Sequence, residues 1–206
     1  MNSTLHALGP SPSSEAEVWG AGDTARTLMT LEAIRERIPD YARDLKLNLD
    51  SVLTPEGAPG LDAKQIWSIV LATAIASRNV QLAREIELLA MAHLDEAHLR
   101  AAKSAAAIMG MNNVYYRFLH LVEDAEYRAI PARLRMNAIA THGIGRDDFE
   151  LLSLAVSAVN GCGLCVTSHE KKLRQAGVSR ETIQSVVRIA AVIHAVAGVL
   201  EFEAAG

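Results

Sequence analysis

Two cysteines three positions apart, Cys162 and Cys165, are the chain's only thiols, and His169 follows the second by four residues. Thiols at that spacing can close a small disulfide ring, and an imidazole at i+4 on a helix can reach the second sulfur. That is an arrangement for redox chemistry. Glu150, twelve residues before Cys162, adds a carboxylate. On a helical wheel Cys162, Cys165, Val166, His169 and Leu173 share one face. If that face packs against the helix bearing Glu150, the carboxylate can orient His169 or relay a proton through water, giving a Glu–His–Cys constellation that activates one thiol.

The elements around these residues must place them. Asn160-Gly161 should end the Glu150 helix, so the cysteines fall at the start of the next helix, which runs to Gln175 and stops at Gly177. The unpaired N–H groups and dipole of a helix N-terminus stabilise an anion, so a thiol with an ordinary pKa of ~8.5 is lowered toward neutrality there. Each residue also has a plainer reading. The cysteines could be buried packing residues, or Cys162, Cys165, His169 and Glu150 could together ligate zinc, although no second Cys-x-x-Cys or His pair completes a common structural site. Glu150 stands three residues after Asp147, where a capping-box glutamate would sit. His169 could be a surface residue, His194 a core or subunit-contact histidine, and His120 part of a pocket or interface. Met109 and Met111 read as packing.

The remaining composition describes the scaffold. Of 206 residues, 50% are hydrophobic, 21% charged and 4% aromatic, with a formal net charge of −4. An apolar content dominated by Ala, Leu, Val and Ile suits close-packed helices, and the expected class is all-α. Interspersed charges offer no basic stripe for nucleic acid and no polybasic anchor for a membrane. The apolar runs 151–166 and 186–200 are shorter than the roughly 20 residues that cross a bilayer. With no charged segment and apolar core resembling a signal peptide, the expected location is cytoplasmic, where a lone Cys-x-x-Cys pair is catalytic or metal-binding more often than a staple.

Residues 1–26 are rich in Ser, Gly and Pro and read as a flexible tail; 27–206 read as a single all-helical domain. Helices are expected from Thr30 to Pro39, over 40–52, from the Asp62/Gln65 capping box to Ala76, over 82–92, from Asp95 to Met109, and as a short piece within 133–140. After Gly143-Ile144-Gly145 the pattern repeats. At an offset of 85 residues, 65–72 and 150–157 share one polar–apolar register, which implies an internal duplication of a helical unit, with halves at about 61–118 and 146–203. Ser77, Val80, Arg84 and Gln65 then stand opposite Cys162, Cys165, His169 and Glu150, so the first copy lacks the chemistry.

At these residues the chain resembles the AhpD family, the alkyl hydroperoxide reductase D proteins of the carboxymuconolactone decarboxylase-like superfamily. The similarity rests on the Glu150…Cys162-x-x-Cys165…His169 spacing together with 38–42, 45–49, 109–118, 134–136 and 155–162. It implies a fold of two related helical halves, usually a homotrimer, with no bound cofactor. It also implies that electrons pass from a dihydrolipoyl group on a 2-oxo-acid dehydrogenase acyltransferase through the cysteine pair to a peroxiredoxin, with weak direct reduction of hydroperoxides. Carried over by position, Cys162 and Cys165 are the redox pair, and Glu150 and His169 the proton relay. One departure stands out: relatives often carry a histidine just before the second cysteine, where this chain has Leu164, which cannot shuttle a proton. The expected mechanism has Cys165, nearest His169, attack peroxide and Cys162 resolve the sulfenic acid. Its rivals are a decarboxylase-like enzyme acting on a small cyclic lactone acid, and a zinc-stabilised helical interaction protein.

Overall fold

The computed structural model describes residues 30–205, so the expected tail over residues 1–26 lies outside the described residues. Among the described residues there are helices and no strands, in the order α1 (Leu31–Glu36), α2 (Arg43–Val52), α3 (Ala63–Ala76), α4 (Val80–Ala90), α5 (Glu96–Val122), α6 (Ala125–Ala129), α7 (Arg146–Val159), α8 (Gly163–Gln175) and α9 (Arg180–Ala204). The chain is all-α, as its composition implies.

Two helices form the centre. In α3 the run Ile69–Ala74 is buried without interruption, and α7 is buried from Phe149 to Ser157. They pack on each other, and the long helices α5 and α9 each pack on both. Small residues let these axes approach: Ala101, Ala102 and Ala105 of α5 and Ala190 and Ala197 of α9 are all buried. Helix α9 is long and apolar enough, by length and composition, to cross a membrane, but it serves as a core helix with 56% of its apolar window buried inside the fold.

The helix order recurs, with α3, α4 and α5 starting 83, 83 and 84 residues before α7, α8 and α9, against the 85 read in the sequence. Ala63 and Val80 open α3 and α4, and Arg146 and Gly163 open α7 and α8, an offset of 83 residues in both cases. Cys162 therefore stands opposite Asn79, Cys165 opposite Leu82, His169 opposite Ile86 and Glu150 opposite Trp67. The polar–apolar pattern is nearly degenerate under a shift of that size in so apolar a segment, whereas helix caps are not. Asn79 and Cys162 are both N-caps, accepting from the N–H groups of Leu82 and Cys165. The first copy still lacks the chemistry.

Helix α5 does not stop near Met109 but runs 27 residues in all, from Glu96 to Val122. Asparagines favour caps and turns over helix interiors, yet Asn112 and Asn113 both lie buried inside it, and Asn113 is held there by hydrogen bonds to the end of α7. Asn113 is fully buried; its Nδ2 donates to Ser157 Oγ at 2.9 Å and its Oδ1 accepts from Asn160 Nδ2 at 2.9 Å. Asn113→Ala should lower unfolding stability by about 1–3 kcal/mol, because it strips buried Ser157 and half-buried Asn160 of a hydrogen bond each; a urea melt would show a reduced midpoint with an unchanged slope. The helix expected over 133–140 is only a 3-10 turn, Asn137–Ile139. That segment buries no residue, so little apolar packing supports a longer helix.

Candidate redox site

The end of α7 and the start of α8 share one tightly specified junction. Asn160 closes α7, Gly161 turns at φ +65°, the N–H of Gly161 donates to Ala158 O and that of Cys162 to Ser157 O. This is a Schellman ending, and glycine takes its left-handed position without the penalty a side chain would meet. Arg117 of α5 donates to Asn160 O at 2.7 Å and ties the junction to the long helix. The residue after the turn, Cys162, is at once the last member of the α7 ending and the N-cap of α8, its Sγ accepting from Cys165 N at 3.3 Å.

Cys162 and Cys165 are joined by a disulfide with a Cα–Cα distance of 5.3 Å. The two sulfurs are not equivalent in access: Cys162 is 0% exposed, whereas Cys165 is 7% exposed and lines a cavity of about 390 Å³. The walls of that cavity are largely apolar, with Met109, Tyr116, Met136, Ile139, Phe149 and Leu164 around the sulfur. Met109 is both core packing and cavity wall. Leu164 is 43% exposed and lines the cavity, so the position just before the second cysteine presents an apolar surface.

His169 and Glu150 meet here. Both are buried, and His169 Nδ1 lies 2.6 Å from Glu150 Oε2. The capping reading of Glu150 does not hold: α7 opens at Arg146 with Gly145 as N-cap, so Asp148 occupies the third helical position and binds Gln65 Nε2 at 2.8 Å. Glu150 is two residues farther in and reaches α8. Its second oxygen, Oε1, accepts from Lys172 Nζ at 2.8 Å. Sequence reasoning passed over Lys172, although it stands three residues after His169 on α8 and so can reach the same partner.

Burial pushes the Glu150 carboxyl up, but the hydrogen bonds from His169 and Lys172 together outweigh it and hold the group below the usual glutamate range. Glu150 is thus an anion at neutral pH and can only accept, which makes Nδ1 of His169 the donor. Nε2 is then the ring nitrogen left free to take a proton, one helical turn from Cys165.

The other flagged histidines fall elsewhere. His194 is exposed, its Nδ1 3.1 Å from Ser77 Oγ, and is not the core residue its apolar neighbours implied; the exposed face of α9 runs between buried Ile193 and Val196. His120 is exposed on α5, away from the disulfide cavity. With the sulfurs bonded to each other, no group of three or more His, Cys, Asp or Glu side chains able to hold a metal ion is gathered among the described residues.

Comparison with known proteins meets the same chemistry. The model of the carboxymuconolactone decarboxylase family matches residues 125–205, the part that holds all four site residues. Proteins named alkyl hydroperoxide reductase AhpD are similar over most of the chain. That of Rhodospirillum centenum is 56% identical over 86% of this chain and 94% of its own length, and that of Rhodopseudomonas palustris is 54% identical over 86% and 96%. The Streptomyces coelicolor protein is 54% identical over 85% of this chain and 97% of its own. With that identity over nearly whole lengths, and a disulfide flanked by a histidine–glutamate pair on a helical frame, this chain belongs to the AhpD family.

Proposed function

We propose that this protein is a thiol–disulfide oxidoreductase that works as an alkyl hydroperoxide reductase, with Cys165 as the attacking thiolate and Cys162 as the resolving thiol. The observation that carries the assignment is the asymmetry between the sulfurs: Cys165 lines the cavity beside His169, and Cys162 lies fully buried behind it. In the reduced protein, His169 Nε2 takes the Cys165 proton, and the dipole at the start of α8 stabilises the thiolate. The thiolate attacks the terminal oxygen of ROOH; an S–O bond forms, the O–O bond breaks, and the alkoxide leaves as ROH with the proton held on His169. Cys162 then displaces hydroxide from the sulfenic acid, releasing water and forming the disulfide. A dithiol restores both thiols and is itself oxidised to a disulfide.

The reductant that fits is a dihydrolipoyl group on a dehydrogenase acyltransferase, a small dithiol on a slim apolar arm suited to the cavity. A peroxiredoxin is the macromolecular acceptor of the same electrons. Assembly as a homotrimer in the cytoplasm belongs to this reading as well. A lactone decarboxylase would share the frame, but the paired thiols and their relay have no part in that reaction.

Thiol counting tests the proposal. Dihydrolipoamide should convert the protein from no titratable thiols to two, and tert-butyl hydroperoxide should return it to none. Thiols that stay at two after hydroperoxide, or zinc bound in stoichiometric amount by the reduced protein, would overturn it.

A further inference from the structure

We infer that Lys172 is a positioning residue of the redox site: its ammonium, seated on one oxygen of Glu150, keeps that carboxylate anionic and so fixes His169 in the tautomer whose Nε2 can accept the thiol proton. The inference deepens the proposed function and rests on it.

The geometry divides one carboxylate between two partners. Glu150 Oε2 meets His169 Nδ1 at 2.6 Å and Oε1 meets Lys172 Nζ at 2.8 Å, with the Glu150 side chain 9% exposed and that of Lys172 43% exposed. A buried carboxylate needs a compensating charge. Lys172 supplies the missing charge from the solvent edge, where the desolvation cost of its own ammonium is small. The other titratable groups around Glu150 are Tyr116 from α5, His142 from the segment before α7, and Arg146 and Asp147 from the first turn of α7. Of all these, only His169 and Lys172 bond the carboxylate.

The consequence for His169 follows from proton positions. An anionic Glu150 accepts from Nδ1–H and leaves Nε2 as a base. A protonated Glu150 donates its O–H to Nδ1, which moves the ring proton to Nε2 and removes the base facing the thiol. Loss of activity through the wrong histidine tautomer is well established where a carboxylate orients a catalytic imidazole. Without Lys172, burial is opposed by His169 alone, so Glu150 protonates at a higher pH and the wrong tautomer spreads toward neutrality.

The test compares wild type, Lys172→Gln and Lys172→Arg as reduced full-length proteins, following thiol oxidation by tert-butyl hydroperoxide across the acid-to-neutral range, with a thermal melt at each pH. In Lys172→Gln the acid limb of the thiol-oxidation rate should shift to higher pH, and Lys172→Arg should return it toward wild type. Superimposable limbs for wild type and Lys172→Gln would overturn the inference. So would a pH-independent loss that arginine does not restore, or a loss that follows the melting temperature. Failure of the wild-type protein to be oxidised at all would instead sink the proposed function, leaving the two outcomes distinct.

Discussion

Cys165→Ser should abolish hydroperoxide turnover, with a loss on the order of a thousandfold or more, as expected for removal of a covalent nucleophile. Cys162→Ser should behave differently. It keeps the cavity-facing sulfur and its histidine, so the reduced variant should consume one equivalent of hydroperoxide in a burst and then stop as a sulfenic acid, which a dimedone adduct detected by mass spectrometry would place on Cys165. The contrast comes from access and not from spacing, since Cys162 is 0% exposed while Cys165 lines the cavity. A burst from Cys165→Ser, with none from Cys162→Ser, would exchange the two roles.

Glu150→Gln should cut the rate by about a hundredfold or more, the scale of general acid–base assistance. The amide is close in size to the carboxylate, but it cannot anchor Nδ1–H with a charge and does not attract Lys172. Stability should fall far less, by about 1–2 kcal/mol, because the Lys172 side chain is 43% exposed and can turn to solvent. The pH dependence carries a sign. The folded Glu150 carboxyl lies below its ordinary range, so its ionisation stabilises the fold above the unfolded value of about 4.3. That contribution fades as pH drops through the folded value, and Glu150→Gln should lack this part of the acid destabilisation. Parallel loss of rate and melting temperature would make Glu150 a structural residue.

The sequence disclosed the site residues more fully than the geometry that joins them. Cysteine spacing, the i+4 histidine and the break at Gly161 are local, and local signals survive without coordinates. The partnership of Glu150 with His169 depends on how α7 and α8 pack, and one local signal pointed the wrong way: Asp147 and Glu150 have capping-box spacing, yet α7 opens earlier, at Arg146. The capping box at Asp62 and Gln65 forms in full, so the same pattern was right in one copy and misleading in the other. Lys172 was missed because a lysine on a polar helix face is normally solvated. The length of α5 was hidden for a related reason, since Asn113, which is disfavoured inside an isolated helix, finds Ser157 and Asn160 on a neighbouring element.

The turn that holds the cysteines has a consequence for electron transfer. Cys162 caps α8 through its sulfur, its carbonyl accepts from Val166 N at 2.9 Å, and its own N–H is taken by Ser157 O. The Val166 N–H to Cys162 O bond closes the turn that carries both cysteines without involving either sulfur, so the disulfide closes a loop that the helix has already closed. Oxidation and reduction can then proceed with little reorganisation of the backbone.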